Sequence, residues 1–490
     1  MTRSNLVGGE MLNWSDLHPA DSRPAAGGSA AVSLLAAALK PGDTVLVAGP
    51  HATSLYVDVA AQAESIDILV RSAPDAEELA ESLTHAKTQV YCGSLDRFET
   101  DETYETYDLI VALDGLERMV GPDTASLPWS AALAKLLARL TPGGRLLLGA
   151  TNSFSVNKLI QPDITAALPR DEDWGRSVAD APPAGLGPLK AALRAAGLGI
   201  AGEPEKPGPR PLDPTAVHAN DADNPRGDGT AAAPLARICG VYPSLVEAEV
   251  AVGNGGQVVA AEAARVVAAR NGGPTLMDPY RVVMDAAAAG LLVELAPAWY
   301  VAVGVEAPVD STSGELVEER LLAALRADDQ TALRREIVAY VEWLRTAPET
   351  GSPDHVIVEG TSYRLFGEGE QGTIEGHLNR FARRALESGS RQPWPAGGDA
   401  QQLTARLASM VGITVTPAAT PEVIRPLGSA EQLATVARLA DELAHASARA
   451  LLFQGTINGI RKSVPYRLGH AMLNPARVVR RRLKRVLRRR

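Results

Sequence analysis

The sequence predicts an α/β chain: a parallel sheet with helices on both faces, continued by a mainly helical α+β extension. Two observations predict it. Short apolar runs alternate with helical segments from residue 44 to residue 150, the order that builds parallel sheets. The runs are also near-continuously apolar, as in "DLIVAL", which suits strands covered on both sides rather than one.

The elements follow in order. "AAVSLLAAAL" (30–39) reads as a helix closed by Lys40, Pro41 and Gly42. Strands are expected at 44–49, 66–71, 89–93, 107–113 and 145–150, with helices at 52–62, 74–85 and 129–140 between them. A further helix at 187–197 stops at Gly197. Residues 203–234, rich in Pro, Gly, Asp and Asn, hold too little apolar surface to pack and read as a loop or linker. "RICGVYPSLVEAEVAV" (237–252) then returns to the sheet, so the first domain is placed at 1–252.

An extension of unassigned role follows at 253–428. It should hold a helix at 257–270, a strand at 297–304, helices at 314–325 and 330–345, and a hairpin at 354–369. The third region, 429–490, opens on a helix over 429–451. Ser429 and Gln432 form a capping box there, and Leu433, Val436, Leu439, Leu443 and Leu451 fall at helical spacing.

Composition narrows the class. The chain has 490 residues, 46% hydrophobic and 22% charged, so a large core is available. Aromatics are 4%, so Ala, Leu and Val must fill that core. Two cysteines, Cys92 and Cys239, exclude a disulfide framework. No Cys/His cluster has metal-ligand spacing, so no metal is expected. No run approaches the roughly 20 apolar residues of a membrane span, and "MTRSNLVGGEMLNW" lacks the apolar run of a signal peptide. The expected compartment is the cytoplasm. The net charge of −10 hides an asymmetry: residues 477–490 carry nine Arg or Lys and no acid, leaving −10 − 9 = −19 for the rest.

"TVLVAGPHATSLYVDVA" (44–60) carries the main chemical signal. A buried run ends at Gly49, as where a strand turns into a nucleotide-binding loop, but His51 and Thr53 stand where further glycines are usual. Three later segments complete an ordered set: "VYCGSLDRF" (90–98), "YDLIVALDGLERM" (107–119) and "LARLTPGGRLLLGATNSF" (137–154). With "LKPGDTVLVAGP" (39–50) they resemble the class I S-adenosylmethionine-dependent methyltransferases, which have a Rossmann-like sheet. "GATNSFSVNKLI" and "VYPSLVEAEV" also look like an actinobacterial subgroup with a long C-terminal extension.

The resemblance implies roles for named residues. Gly49 would permit the sharp turn. His51 would meet the cofactor carboxylate or else be a polar loop residue, and Thr53 would follow it. The acid that takes the ribose hydroxyls is replaced: Asp67 comes too early, Asp75 belongs to the next helix, and Arg71 and Ser72 stand at the strand end. Arg71 would suit a phosphate or be solvated. Ser94, Leu95 and Asp96 would frame the adenine. Leu113 and Asp114 would lie where donor and acceptor meet. Asp114 and Glu117 are the candidates for acid/base or orienting work, since methyl transfer needs alignment and, for a hydroxyl, a base. Arg118 stands where the family often has His, which argues against a His base.

The implied function is methyl transfer from S-adenosylmethionine to a small-molecule or glycan hydroxyl. The alternative is a non-catalytic methyltransferase-like module associated with a membrane or envelope-glycan assembly. Expected partners are the acceptor, an anionic membrane surface touched by the C-terminal tail at the inner face of the membrane, and a second copy as homodimer. No specific nucleic acid is expected. "PDHVIVEGTSYRLFGEG" (353–369) is similar to a kinase catalytic loop, but His355 and Gly367 stand where metal-binding Asn and Asp are needed, so it reads as a structural hairpin.

The tail is directly testable. Read as a helix from about 475, it places Val478, Val479, Leu483, Val486 and Leu487 on one side and Arg on the other. Each basic residue near an anionic bilayer contributes about 1 kcal/mol, and salt weakens it. Cosedimentation with anionic vesicles should therefore be salt-sensitive and lost on truncation after Pro475. Equal sedimentation of full-length and truncated chains would assign the tail to solvent.

Overall fold

The computed structural model describes residues 4–18, 23–83, 87–98, 106–121, 127–161, 182–203, 234–253, 256–270, 275–306, 312–346, 350–367, 369, 371–390, 394, 398–417 and 420–468. The loop expected at 203–234 and the basic tail lie almost wholly outside them. Among them no helix is long and apolar enough to cross a membrane.

The first half alternates as expected: β1 (Asn5–Gly8), α1 (Ser29–Ala38), β2 (Thr44–Ala48), α2 (Thr53–Gln62), β3 (Ser65–Val70), α3 (Ala73–Ser82), β4 (Thr88–Gly93), β5 (Tyr107–Ala112), α4 (Trp129–Leu137) and β6 (Leu140–Thr151). Then come α5 (Val156–Ile160), α6 (Leu186–Ala195), β7 (Gly199–Ile200), β8 (Leu235–Tyr242), β9 (Val250–Val252), α7 (Gln257–Arg270), α8 (Pro279–Ala288) and β10 (Ala298–Val303).

Five parallel strands run in the order β4-β3-β2-β5-β6, the doubly wound pattern whose direction of winding reverses between β2 and β5. The period of two along each strand divides the core. Val45, Val47, Ile66 and Ile68 pack with Leu35 of α1, Leu55 of α2 and Leu79 of α3. Leu46, Ala48, Ile110 and Leu148 face the other way, with Leu133 of α4, Val259 of α7 and Val283 of α8. The sheet is therefore Rossmann-like with helices on both faces, as the sequence predicts.

The sheet also reaches past residue 252. The strand expected at 297–304 is β10, and it lies antiparallel between β6 and β8. All six of its residues are buried. Unpaired, β6 would present a row of open backbone groups, and β10 satisfies them. Nothing in a lone apolar run tells which sheet it will join. β1 has no apolar run of its own, yet it pairs parallel with β4 at the opposite edge.

The rest is β11 (Glu315–Leu316), α9 (Val317–Arg326), α10 (Gln330–Leu344), β12 (Val356–Glu359), β13 (Ser362–Leu365), α11 (Ile374–Glu387), α12 (Ala400–Met410) and α13 (Ser429–Lys462). The expected hairpin forms as β12 and β13. Leu321, Ile337, Phe381 and Leu403 centre a separate core among α9 to α12. The capping box at α13 does not form. Gly428 is the N-cap; Ser429 Oγ donates to Thr275 O at 3.0 Å, and Gln432 Nε2 donates to Pro426 O at 2.9 Å. Those bonds tie the helix start to the body, and the helix runs on to Lys462 rather than 451.

Trp299 tests the reach of the sheet. It is fully buried, and its Nε1 donates to Val293 O at 2.7 Å. Trp299→Ala should cost about 3–5 kcal/mol and raise hydrogen exchange at Leu146–Leu148 of β6. A loss of protection confined to α9–α12 would show that β10 does not support the first sheet.

Candidate functional site: the C-terminal strand ends

Ligands of an open parallel sheet lie beyond the carboxyl ends of the strands, where the winding reverses. Here that point lies between β2 and β5. Gly49 turns the chain out of β2 with φ +88°, and its N–H donates to Leu69 O at 2.9 Å. A Cβ there would sit 3.5 Å from Met119 Cε, an ordinary contact. The left-handed backbone, not crowding, is what calls for glycine.

His51 fills the space beyond the turn. It is fully buried; its Nδ1 lies 2.9 Å from Gly49 O, and its Nε2 accepts from Leu113 N at 2.9 Å. Those partners assign the proton to Nδ1, since a carbonyl only accepts. Tyr56 braces the same turn, its hydroxyl donating to Gly49 O at 3.0 Å and accepting from His51 N at 3.1 Å. Burial holds the imidazole pKa down to about 4, so it is neutral. His51 is thus a bridge between the ends of β2 and β5, not a solvated loop residue. Thr53 begins α2 and is exposed.

Residues 5–18 and 23–26 supply the rest of the site. Gly8 O accepts from Ser94 N at 3.0 Å beyond β4. Met11 bridges Ser72 beyond β3, with Met11 N donating to Arg71 O at 2.7 Å. Ala26 bridges His51 beyond β2, and its N–H donates to Asp114 Oδ1 at 3.1 Å beyond β5. The segment therefore meets the ends of four strands.

Ion pairs fasten it. Arg71, 1% exposed, grips Asp16 with Nε to Oδ2 at 2.7 Å and Nη2 to Oδ1 at 2.8 Å. Arg118 grips Asp114 at 2.7 and 2.6 Å and stands 3.8 Å from Asp16. Arg23 closes on the far side of Asp114 at 3.0 Å. Asp75, in the first turn of α3, accepts from Ser15 Oγ at 2.5 Å and Asp16 N at 2.7 Å. Burial raises the pKa of Asp16, but the bonds to Arg71 and the charges of Arg71 and Arg118 outweigh it and hold the carboxyl below its ordinary value.

The residues singled out in the sequence thus come together, with different surroundings. Arg71 is buried and paired, not solvated. Ser94, Leu95 and Leu113 are buried at the strand ends. Asp96 has one buried oxygen, Oδ1, without a hydrogen-bond partner, while Oδ2 stands 4.0 Å from Arg97 Nε. Asp114 is fully buried in its arginine clasp. The carboxylate of Glu117 folds back over Gly115, whose φ is +94°. Asp16 and Arg23 were not foreseen. The signal for them was an Arg at a strand end with no acid in its own motif. Among the described residues no group of three His, Cys, Asp or Glu could hold a metal.

The strand order and the helices on both faces define a Rossmann-like α/β fold. No family model matches the chain, and no curated protein matches it. Among solved structures it is similar to the N-methyltransferase NodS of Bradyrhizobium japonicum WM9 with bound S-adenosylhomocysteine. That match has 20% identity over 25% of this chain and 60% of the other, with a TM-score of 0.20. It is similar to the 1,6-didemethyltoxoflavin-N1-methyltransferase of Burkholderia thailandensis at 19% identity over 34% and 65%, TM-score 0.24. It is also similar to CalS10, an amino pentose methyltransferase of Micromonospora echinaspora, at 24% identity over 24% and 46%, TM-score 0.19. The chain spans less than two thirds of the length of each.

Two outcomes follow from the buried groups. Asp16→Ala leaves Arg71 buried without its anion, which should cost about 3–5 kcal/mol and appear as a lowered Tm; an unchanged Tm would show the pair to be dispensable. His51 binds a proton more readily in the unfolded chain than in the fold. Its contribution is therefore complete above pH 6.5 and declines as pH falls towards about 4, by about 3 kcal/mol in all. His51→Gln should flatten the fall of Tm across that window, and an unaltered slope would assign the pH dependence elsewhere.

Proposed function

We propose that the chain is an S-adenosylmethionine-dependent methyltransferase acting on a small-molecule or glycan hydroxyl, with residues 5–18 and 23–26 as a built-in gate over its cofactor cleft. The observation that carries this reading is the left-handed turn at Gly49 set at the reversal of a doubly wound sheet. The segments beyond β4 and β5 also match the family's pattern in order. Two of the similar structures, covered only in part, are named as methyltransferases of 1,6-didemethyltoxoflavin and of an amino pentose.

The residues divide when tested against the cofactor. Gly49 suits the turn, and the unpartnered Oδ1 of Asp96 suits an amine donor such as an adenine amino group. Leu113 N–H and the end of β3, in contrast, are engaged by His51 and by the Arg71–Asp16 pair. Loading at the end of β3 therefore requires the segment carrying Asp16 and Arg23 to withdraw. The cofactor supplies an activated methyl group. Glu117 is then the carboxylate placed to take the proton of an acceptor hydroxyl, while Asp114 holds Arg118 and orients the floor of the cleft. The basic tail would keep the protein at the inner face of a membrane.

The buried clasp itself favours a second reading: a methyltransferase-like module that binds without catalysis. Calorimetry with S-adenosylhomocysteine separates the two. Under the gated reading the full chain binds weakly, and Arg23→Ala and a chain lacking residues 1–18 bind at least tenfold more tightly. No heat in any variant, with helical content intact, supports the non-catalytic module.

A further inference from the structure

The last helix stands away from the body. Among the residues of α13 only Glu431 is buried, while Leu433, Leu443, Leu451, Leu452 and Phe453 are each at least 67% exposed. A helix this long and bare needs a partner.

Its pattern says which kind. Apolar residues recur at alternating steps of three and four: Val436, Leu439 and Leu443, then Ala446 and Ala450, then Phe453, Ile457 and Ile460. A strict mean spacing of 3.5 is the seam of a coiled coil. A helix lying on a membrane would show a broad apolar arc facing a basic one. Here the opposite side instead carries Asp441, His445 and Ala448 together with Arg438, Leu451 and Leu452, which is not a continuous basic arc, and the positions beside the seam are Glu442 and Arg449.

We propose that α13 pairs with α13 of a second copy of this chain as an antiparallel two-stranded coiled coil centred on Leu443 and Ala446. The centre of the seam combines large and small residues, and only one direction fits them together. Antiparallel pairing sets Leu443 against Ala446 of the partner subunit, Leu439 against Ala450 of the partner subunit, and Val436 against Phe453 of the partner subunit. Each of these three layers then holds a large and a small or medium side chain, as close packing requires. Parallel pairing would stack alanine on alanine in two successive layers.

Charge agrees with that direction. In the same register Glu442 lies beside Arg449 of the partner subunit, and two-fold symmetry makes the contact twice. Within its own helix Glu442 lies 3.5 Å from Arg438, a part-exposed i,i+4 pair of the kind that contributes little by itself. The arrangement also turns the basic end of each helix, with Arg461 and Lys462, back towards the other body, which is acidic overall.

Sedimentation velocity on the full chain tests the pairing. The wild-type protein should dimerise, and Glu442→Arg or Arg449→Glu alone should raise the dimer dissociation constant at least tenfold. An equimolar mixture of the two variants should restore dimers, because each unlike pair regains both contacts. Disulfide trapping tests direction: Leu443→Cys chains mixed with Ala446→Cys chains should cross-link, and Leu443→Cys chains alone should not. All substitutions are on an exposed helix, and circular dichroism confirms that each variant is folded. A wild-type chain that stays monomeric, a mixture no better than its components, or cross-linking of Leu443→Cys with itself would each overturn the proposal. So would partition of α13 into anionic vesicles with no dimer formed.

Discussion

A guanidinium buried at the end of a parallel strand governs the rest of this site. Arg71 stands at the end of β3, and at 1% exposure its charge is costly to bury without an anion beside it. Asp16, 55 residues earlier in the chain, supplies that anion. To bring it there, the N-terminal segment must cross the strand ends, and Ser15 and the Asp16 backbone fix it to Asp75 as it passes. That one buried charge thus fixes the path of the chain around Asp16 over the strand ends.

The rest of the cleft follows from that path. Arg118 joins the acids Asp16 and Asp114, and Arg23 completes the clasp. His51 closes the remaining gap by accepting from the Leu113 N–H, one of the groups a ligand at the reversal would otherwise reach. Such a network stabilises little in total, because desolvation offsets attraction, yet it is costly to break at one member. That asymmetry suits the proposed gate, whose members would have to leave together.

Much of the frame was legible. The strands at 44–49, 66–71, 107–113 and 145–150 declared themselves as continuous apolar runs, because both faces of each are covered. Gly49 could be read as a turn. What escaped were contacts between distant parts of the chain. Asp16 lies in "NWSDLHP", a polar stretch with no periodicity, and its partner is known only once the fold brings Arg71 to it. β1 was missed for the same reason, since its residues are half-exposed and only pairing with β4 makes them a strand. The capping box at Ser429 failed because Thr275 and Pro426 offered those side chains tertiary partners instead. Local pattern reports local energy, and these positions answer to longer-range contacts.

The central claim is that residues 5–18 and 23–26 and the cofactor compete for the same strand ends. Hydrogen–deuterium exchange of the full chain with and without S-adenosylhomocysteine tests it most directly. The account predicts that ligand raises exchange at Met11, Ser15 and Asp16 while protecting the turn at Gly49 and the end of β5. Protection of both regions together, or exchange at residues 11–16 that does not respond to ligand, would contradict it.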